Sequence, residues 1–246
     1  MRELTTAAEV ASAAGGDPVI RWAAQGLPPA VRAWADGDAV VVATPALSLR
    51  DRLAVLGPVP AVAKLVAAVL PEVGPAYRPF GDETLVRGLA DRLPAVRFAA
   101  AFGWMDTTGP VPAPASGATR WLADDDAPTV AALLAEAAPD SYARPGIPGV
   151  TRWAGRYDDA GTGRLAAVTA DAWSSPDVGF LAGVATRPDA RGNGYAEDCC
   201  RLVAASLLTT RSQVALMVNT GNTPARTLYT RLGFHYRPIA AARFNP

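Results

Sequence analysis

Between Val178 and Ala196 the chain reads VGFLAGVATRPDARGNGYA. An apolar run of strand character, Val178–Thr186, passes through a Gly-containing turn that opens a helix. The first turn of a helix presents unpaired backbone N–H groups and the positive end of its dipole. Such a terminus binds phosphate oxygens. Gly192 and Gly194 carry no side chain, so a pyrophosphate can approach the main chain closely, and Arg191 adds a cation at the rim. Downstream, Tyr229 lies seven residues after Asn222, which puts both on about the same face of a helix.

Two ligand classes suit a phosphate-binding turn of this kind. A dinucleotide turn wants a third small residue where the large, negative Glu197 stands. It also wants an acid about 20 positions on, where Ser212–Ala215 offers none. The stretch from the strand end to Gly192 is too long for that turn as well. The other class is coenzyme A, and here the residues resemble the GNAT acetyltransferase superfamily. Arg191-Gly192-Asn193-Gly194-Tyr195-Ala196 matches its R/Q-x-x-G-x-G/A motif. Asn222, Ala225, Leu228, Tyr229, Gly233 and Phe234 match its N-x-x-A-x-x-L-Y-x-x-x-G-F pattern. The resemblance covers residues 117–246.

The resemblance implies acetyl-CoA as co-substrate, no metal, and an amine of a small molecule or peptide as acceptor. It implies that two central strands, Val178–Thr186 and Val214–Val218, splay to admit the pantetheine arm, with Gly183 marking the bulge. Backbone groups of Val184, Ala185 and Thr186 would then bond the pantetheine. Those of Arg191, Gly192, Asn193, Gly194, Tyr195 and Ala196 would hold the pyrophosphate, and Asn222 would sit near the pantetheine. Tyr229 is the implied general acid that protonates the departing thiolate, a role a positioned phenol can fill. On position alone Tyr229 reads equally as a core residue beside Leu228 and Leu232. No spacing selects a base among His235, Asp171, Asp177 and Asp140, and a water relay also serves. Tyr142 and Trp173 are candidate aromatic walls of an acceptor pocket lined by the first helix, that of Val130, Leu133 and Leu134, and the Ser141–Gly149 loop. Two other readings stay open: a regulatory acyl-CoA-binding protein without turnover, and a GNAT-fold transferase using another acyl donor.

The elements that position these groups follow from periodicity. Thr119–Leu122, Thr151–Tyr157, Arg164–Ala172 and Val178–Thr186 read as strands, with Asp158–Gly163 as a hairpin turn. Asn193–Leu208 is apolar at helical spacing, Val214–Val218 is a fully buried strand, and Thr223–Leu232 is a helix stopped by Gly233. His235–Phe244 returns as a strand whose Pro238 favours an edge or a bulge. Asp124–Asp126 precede a helix carrying Pro128 and read as capping residues rather than metal ligands. The fold class is α/β: a mixed central β-sheet flanked by helices, the acyl-CoA N-acyltransferase fold, with an additional N-terminal α/β domain.

Residues 109–117 (GPVPAPASG) read as a linker, giving domains 1–110 and 117–246. In the first, Ala7–Ala14, Pro28–Ala35, Pro60–Leu70 and Glu83–Leu93 read as helices, and Ala39–Ala43 and Val96–Phe102 as strands. It lacks a phosphate loop and an Asn…Tyr helix. A degenerate GNAT-like half and an acceptor-recognition module both fit, and no internal repeat is visible in the residues.

Half of the 246 residues are apolar and 19% are charged, as in a globular chain. Basic residues are nearly all Arg, with Lys64 the lone lysine, the usage of a GC-rich bacterial genome. The net charge of zero speaks against a nucleic-acid partner. No apolar run reaches the roughly 20 residues that span a bilayer, and no secretory leader is evident, so a cytoplasmic protein without a membrane partner is expected. A homodimer is the default assembly. The adjacent Cys199 and Cys200 suit a helix core better than a disulfide or a zinc site.

Overall fold

Runs such as Val40–Ala43 and Val214–Val218 offer no polar face to water, and both become inner strands of one sheet, nearly every side chain fully buried. The computed structural model describes residues 1–114, 117–158 and 163–245. Its first series of elements is β1 (Arg2–Leu4), α1 (Ala7–Ala13), α2 (Pro18–Ala24), β2 (Arg32–Asp36), β3 (Ala39–Leu47), β4 (Arg50–Leu56), α3 (Val59–Val73), β5 (Arg78–Asp82), α4 (Glu83–Arg92) and β6 (Val96–Thr107). A second series follows: β7 (Thr119–Trp121), α5 (Ala127–Ala137), β8 (Val150–Tyr157), β9 (Leu165–Ala172), β10 (Val178–Thr186), α6 (Tyr195–Leu208), β11 (Gln213–Val218), α7 (Thr223–Arg231) and β12 (His235–Phe244).

All described strands join one sheet in the order β1-β2-β3-β4-β5-β12-β6-β11-β10-β9-β8-β7. Read from either edge, the order is the same. Each series runs strand, helix, three strands, helix, strand, helix, strand, apart from the split of the first helix into α1 and α2. Each has one parallel pair, β4 with β5 and β10 with β11. The final strands are exchanged: β6 lies against β11, β12 lies against β5, and the two pair with each other in the middle. The repeat is carried by element order, not by residues, which is why the sequence does not display it.

Three apolar clusters fill the molecule. One lies under α3 and α4, another under α6 and α7, and the third, largest, is shared by both series. In the shared core Trp22 of α2 stacks on Phe180 of β10 with ring centroids 4.6 Å apart and meets Trp104 of β6 edge-on at 5.6 Å. Its indole N–H donates to the Trp173 carbonyl at 2.8 Å.

Several expectations change. Pro28–Ala35 does not form a helix; Arg32–Asp36 is β2, whose ladders to β1 and β3 override local propensity. β12 is interior, not an edge. Pro238 is nonetheless tolerated, because β5 pairs only with Ile239–Ala241 and leaves Pro238 a partner on one side, Gly103 of β6. β1, α2, β4 and β5 carry too few residues, or too mixed a pattern, to be read from sequence. Of the proposed linker, 109–114 is irregular and residues 115 and 116 lie outside the described residues, as does the tip of the Asp158–Gly163 hairpin at 159–162. Cys199 and Cys200 are free, buried side chains of α6. No described helix is long and apolar enough to cross a membrane.

Candidate active site between two parting strands

β10 and β11 are hydrogen-bonded in parallel from Val178–Gln213 to Leu181–Leu216, and there the ladder stops. The cause sits on β10. Gly183 adopts φ 61°, and the β10–β9 register shifts between Ala182 and Ala185. A β-carbon at Gly183 would lie 2.6 Å from the Trp153 ring, so only glycine lets the backbone bend here. Beyond the bulge Ala185 and Thr186 stay paired to β9, which leaves their other edge turned toward the gap. β11 meanwhile continues to Val218 on its β6 side.

A cavity of about 890 Å³ opens at the parted strands. Val184, Ala185 and Thr186 form one wall, and Arg191, Gly192, Gly194, Tyr195 and Ala196 another. Asn222, Leu228 and Tyr229 of the α7 region close the third. Of Tyr229 and the residues the resemblance assigns to the coenzyme, Asn193 alone lies outside the lining; its amide donates to the Ala190 carbonyl at 3.1 Å and shapes the turn. Sequence reasoning missed Ala137 and Ala138, at the end of α5, which also line the cavity. No motif marks them.

The floor of this cavity presents backbone donors. The N-cap of α6 is Gly194, at φ 78°, and among the described residues no side chain caps that helix. Side chains do so at four helices, where Thr6 caps α1, Asp17 caps α2, Asp82 caps α4 and Asn222 caps α7; α3 and α5 also lack a side-chain cap, but only α6 opens on the cavity through two glycines. A β-carbon at Gly192 or Gly194 would meet no atom of the described residues within 4 Å, so among them the space in front of the uncapped amides is open. These are the donors a pyrophosphate takes. Two acids stand in the first turn of α6, but both are compensated. Glu197 pairs with Arg201 at 2.7 Å and Arg231 at 2.8 Å, and Asp198 pairs with Arg156 at 3.6 Å.

Tyr229 is buried between the cavity and the core, its ring 6.2 Å from Phe234. Burial pushes its phenol well above the ordinary value of 10, with proximity to Cys200 in the same direction. The hydroxyl therefore stays protonated and able to donate. Asn222 uses its side-chain oxygen to accept the Ala225 N–H at 3.2 Å, which fixes the start of α7 and hence the place of Tyr229 two turns on.

A second cavity, about 570 Å³, adjoins the first along β10, where Leu181, Ala182 and Gly183 line it in turn. Met217, Val218 and Asn219 continue its wall, and Tyr142 and Trp173 contribute the aromatic surfaces expected from sequence. Of the four candidate bases, Asp140 alone lines it. His235 is exposed on β12. Asp171 is buried against Arg152 and Ser174, and Asp177 pairs with Arg21. The first series supplies Ser48, Arg50, Arg52 and Arg78, which no motif in the sequence marks.

Residues 155–243 match the family described as FR47-like protein. A comparison with curated proteins finds no match. Among solved structures, a GNAT-family acetyltransferase from Novosphingobium aromaticivorans superposes with a TM-score of 0.53 at 23% identity, over 80% of this chain and 88% of that one. A GCN5-related N-acetyltransferase from Kribbella flavida gives 0.59 at 18%, over 90% and 92%. One from Sphaerobacter thermophilus gives 0.57 at 18%, over 95% and 88%. The chain carries the GNAT acetyltransferase fold, and its FR47-like segment is the stretch that builds the split strands, the open turn and the Tyr229 helix.

Proposed function

We propose that the chain is an N-acetyltransferase that takes acetyl-CoA in the larger cavity and an amine in the smaller one. The observation that carries this reading is the uncapped α6 terminus behind Gly192 and Gly194, set at the mouth of a sheet that has parted at Gly183. Pyrophosphate oxygens would accept from the amides of residues 191–196, and the pantetheine amides would pair with the unpaired edge of Val184–Thr186. That course carries the thioester toward the junction of the two cavities, where residues 181–183 line one and 184–186 the other.

There the amine nitrogen attacks the thioester carbonyl carbon, the C–S bond breaks, and Tyr229 gives its proton to the departing sulfur. Before the attack the acceptor ammonium gives one proton to Asp140, directly or through water, which frees the nitrogen lone pair; a second proton leaves the nitrogen as the amide forms and restores Tyr229. Residues 1–110 act in this reading as a non-catalytic GNAT-like half that closes the acceptor side. The test is thiol release from acetyl-CoA with a panel of amines. Amine-dependent release that Tyr229→Phe slows, with acetyl-CoA affinity kept, supports the reading. Tight coenzyme binding with no release across the panel would replace it with a binding role.

A further inference from the structure

The smaller cavity collects three arginines from the first series, Arg50, Arg52 and Arg78, and among the described residues none of them forms an ion pair. Arg52 is only 6% exposed. Its guanidinium is fixed rather than loose: Nε donates to the Leu47 carbonyl at 2.9 Å and Nη2 to the Ser48 hydroxyl at 3.3 Å. It also lies 4.8 Å from the Phe80 ring centroid and 5.7 Å from that of Trp22. Arg50 donates to the Tyr142 hydroxyl at 3.3 Å across the cavity mouth, and Arg78 is exposed beside β4.

A buried cation without a counter-ion is costly. Here burial lowers the Arg52 guanidinium to about 10, and the charges of Arg50 and Arg78 push the same way, partly offset by Tyr142. It is still charged at neutral pH, so the cavity is lined by three cations against one carboxylate, Asp140, and holds an excess of positive charge. The turn that leads to it is strained as well: Ala46, Ser48 and Leu49 all sit at positive φ, and the β3–β4 register shifts between Thr44 and Leu47. Strain of this kind persists where surrounding structure imposes it, often at ligand sites.

We infer that the acceptor carries a carboxylate or phosphate besides its amine, with the anion held by Arg50, Arg52 and Arg78 and the amine turned toward Asp140 and the β10 bulge. This rests on the transferase reading and deepens it: the first series would choose the substrate, and the second would supply the acetyl group. A guanidinium fork suits either anion, since both present paired oxygens.

Matched acceptors test it, at constant ionic strength: 2-aminoethyl phosphate against ethanolamine, and β-alanine against its amide. We expect at least one anionic member to exceed its neutral partner about tenfold or more in kcat/KM, with the better pair naming the anion. In the double variant Arg50→Gln/Arg78→Gln, chosen because replacing the buried Arg52 endangers the fold, the ratio should fall to near one. Equal use of both members, or a ratio unchanged in the double variant, overturns the inference. If no member is turned over, the unfolding midpoint decides: stabilisation by an anionic member but not its neutral partner, lost in the double variant, supports it, and no such stabilisation overturns it. Acetyl-CoA is titrated separately; absence of a coenzyme-induced shift fails the transferase reading, whatever the anions do.

Discussion

The two series share an order of elements and differ at every place where chemistry is proposed. In the second, eight residues, 187–194, separate β10 from α6 and leave open space before the helix amides. In the first, only Gly57 and Pro58 separate β4 from α3, and a β-carbon at Gly57 would lie 2.4 Å from the Asp38 carbonyl oxygen. The β2–β3 turn fills the place a phosphate would need. β10 and β11 part at a bulge, whereas β4 and β5 stay close, with Gly81 so near that its β-carbon would be 2.6 Å from the Val55 carbonyl oxygen. Seven residues after the N-cap Asn222 stands Tyr229; seven after the N-cap Asp82 stands the fully buried Leu89. One topology thus supports two outcomes, and the length of one loop with the choice of one glycine decides between them.

Substitutions at matched positions can break this comparison. Tyr229→Phe should lower kcat by roughly 10²–10⁴-fold if the phenol is the acid, with KM for acetyl-CoA little changed; steady-state kinetics reads both. Leu89→Ala should instead cost about 2–5 kcal/mol of stability by emptying a packed site, with turnover per folded molecule retained. A catalytic loss there beyond the loss of folded protein would mean that the first series takes part in the chemistry.

Glycines give a finer contrast. Gly57→Ala combines a φ of 123° with backbone contact and should destabilise by about 1–3 kcal/mol without affecting coenzyme affinity. Gly194→Ala, at φ 78° with open space around it, should cost about 1 kcal/mol in stability and weaken acetyl-CoA. Denaturant unfolding and coenzyme titration of both variants separate the two effects.

A smaller effect concerns alkaline pH. The core under α6 and α7 holds Cys199, Cys200 and Tyr229, all raised by burial, Cys200 to about 12. The buried residues of the core under α3 and α4 include no ionisable side chain. Raised values mean that the folded state holds its protons more tightly, so this stability is complete below pH 9 and declines as pH rises from about 9 toward 12. The slope is at most about 1.4 kcal/mol per pH unit for each group. Cys200→Ala should flatten it, and a slope that persists unchanged would place the alkaline loss elsewhere.

The sequence displayed the second series far better than the first, for a physical reason. A phosphate turn and a helix bearing Asn222 and Tyr229 restrict residue types at fixed spacing, so they leave a readable trace. The arginines of the smaller cavity do not: Arg50, Arg52 and Arg78 meet only because β4 and β5 pair in parallel, with Arg52 opposite Arg78. The exchange of β6 and β12 is equally silent, since an interior strand reads alike beside either neighbour. Pro28–Ala35 reads as a helix because Val31–Ala35 alternates too weakly to reveal the ladders of β2. What tertiary pairing assembles, local pattern does not announce.

The most direct test is thermal unfolding of wild type and Gly192→Glu with increasing acetyl-CoA. At about 100 times its dissociation constant the coenzyme should stabilise wild type by roughly 2.7 kcal/mol, a rise of several degrees, and leave the folded variant unmoved. No rise in wild type, or an equal rise in the variant, would contradict the assignment of the open turn before α6 as the coenzyme site.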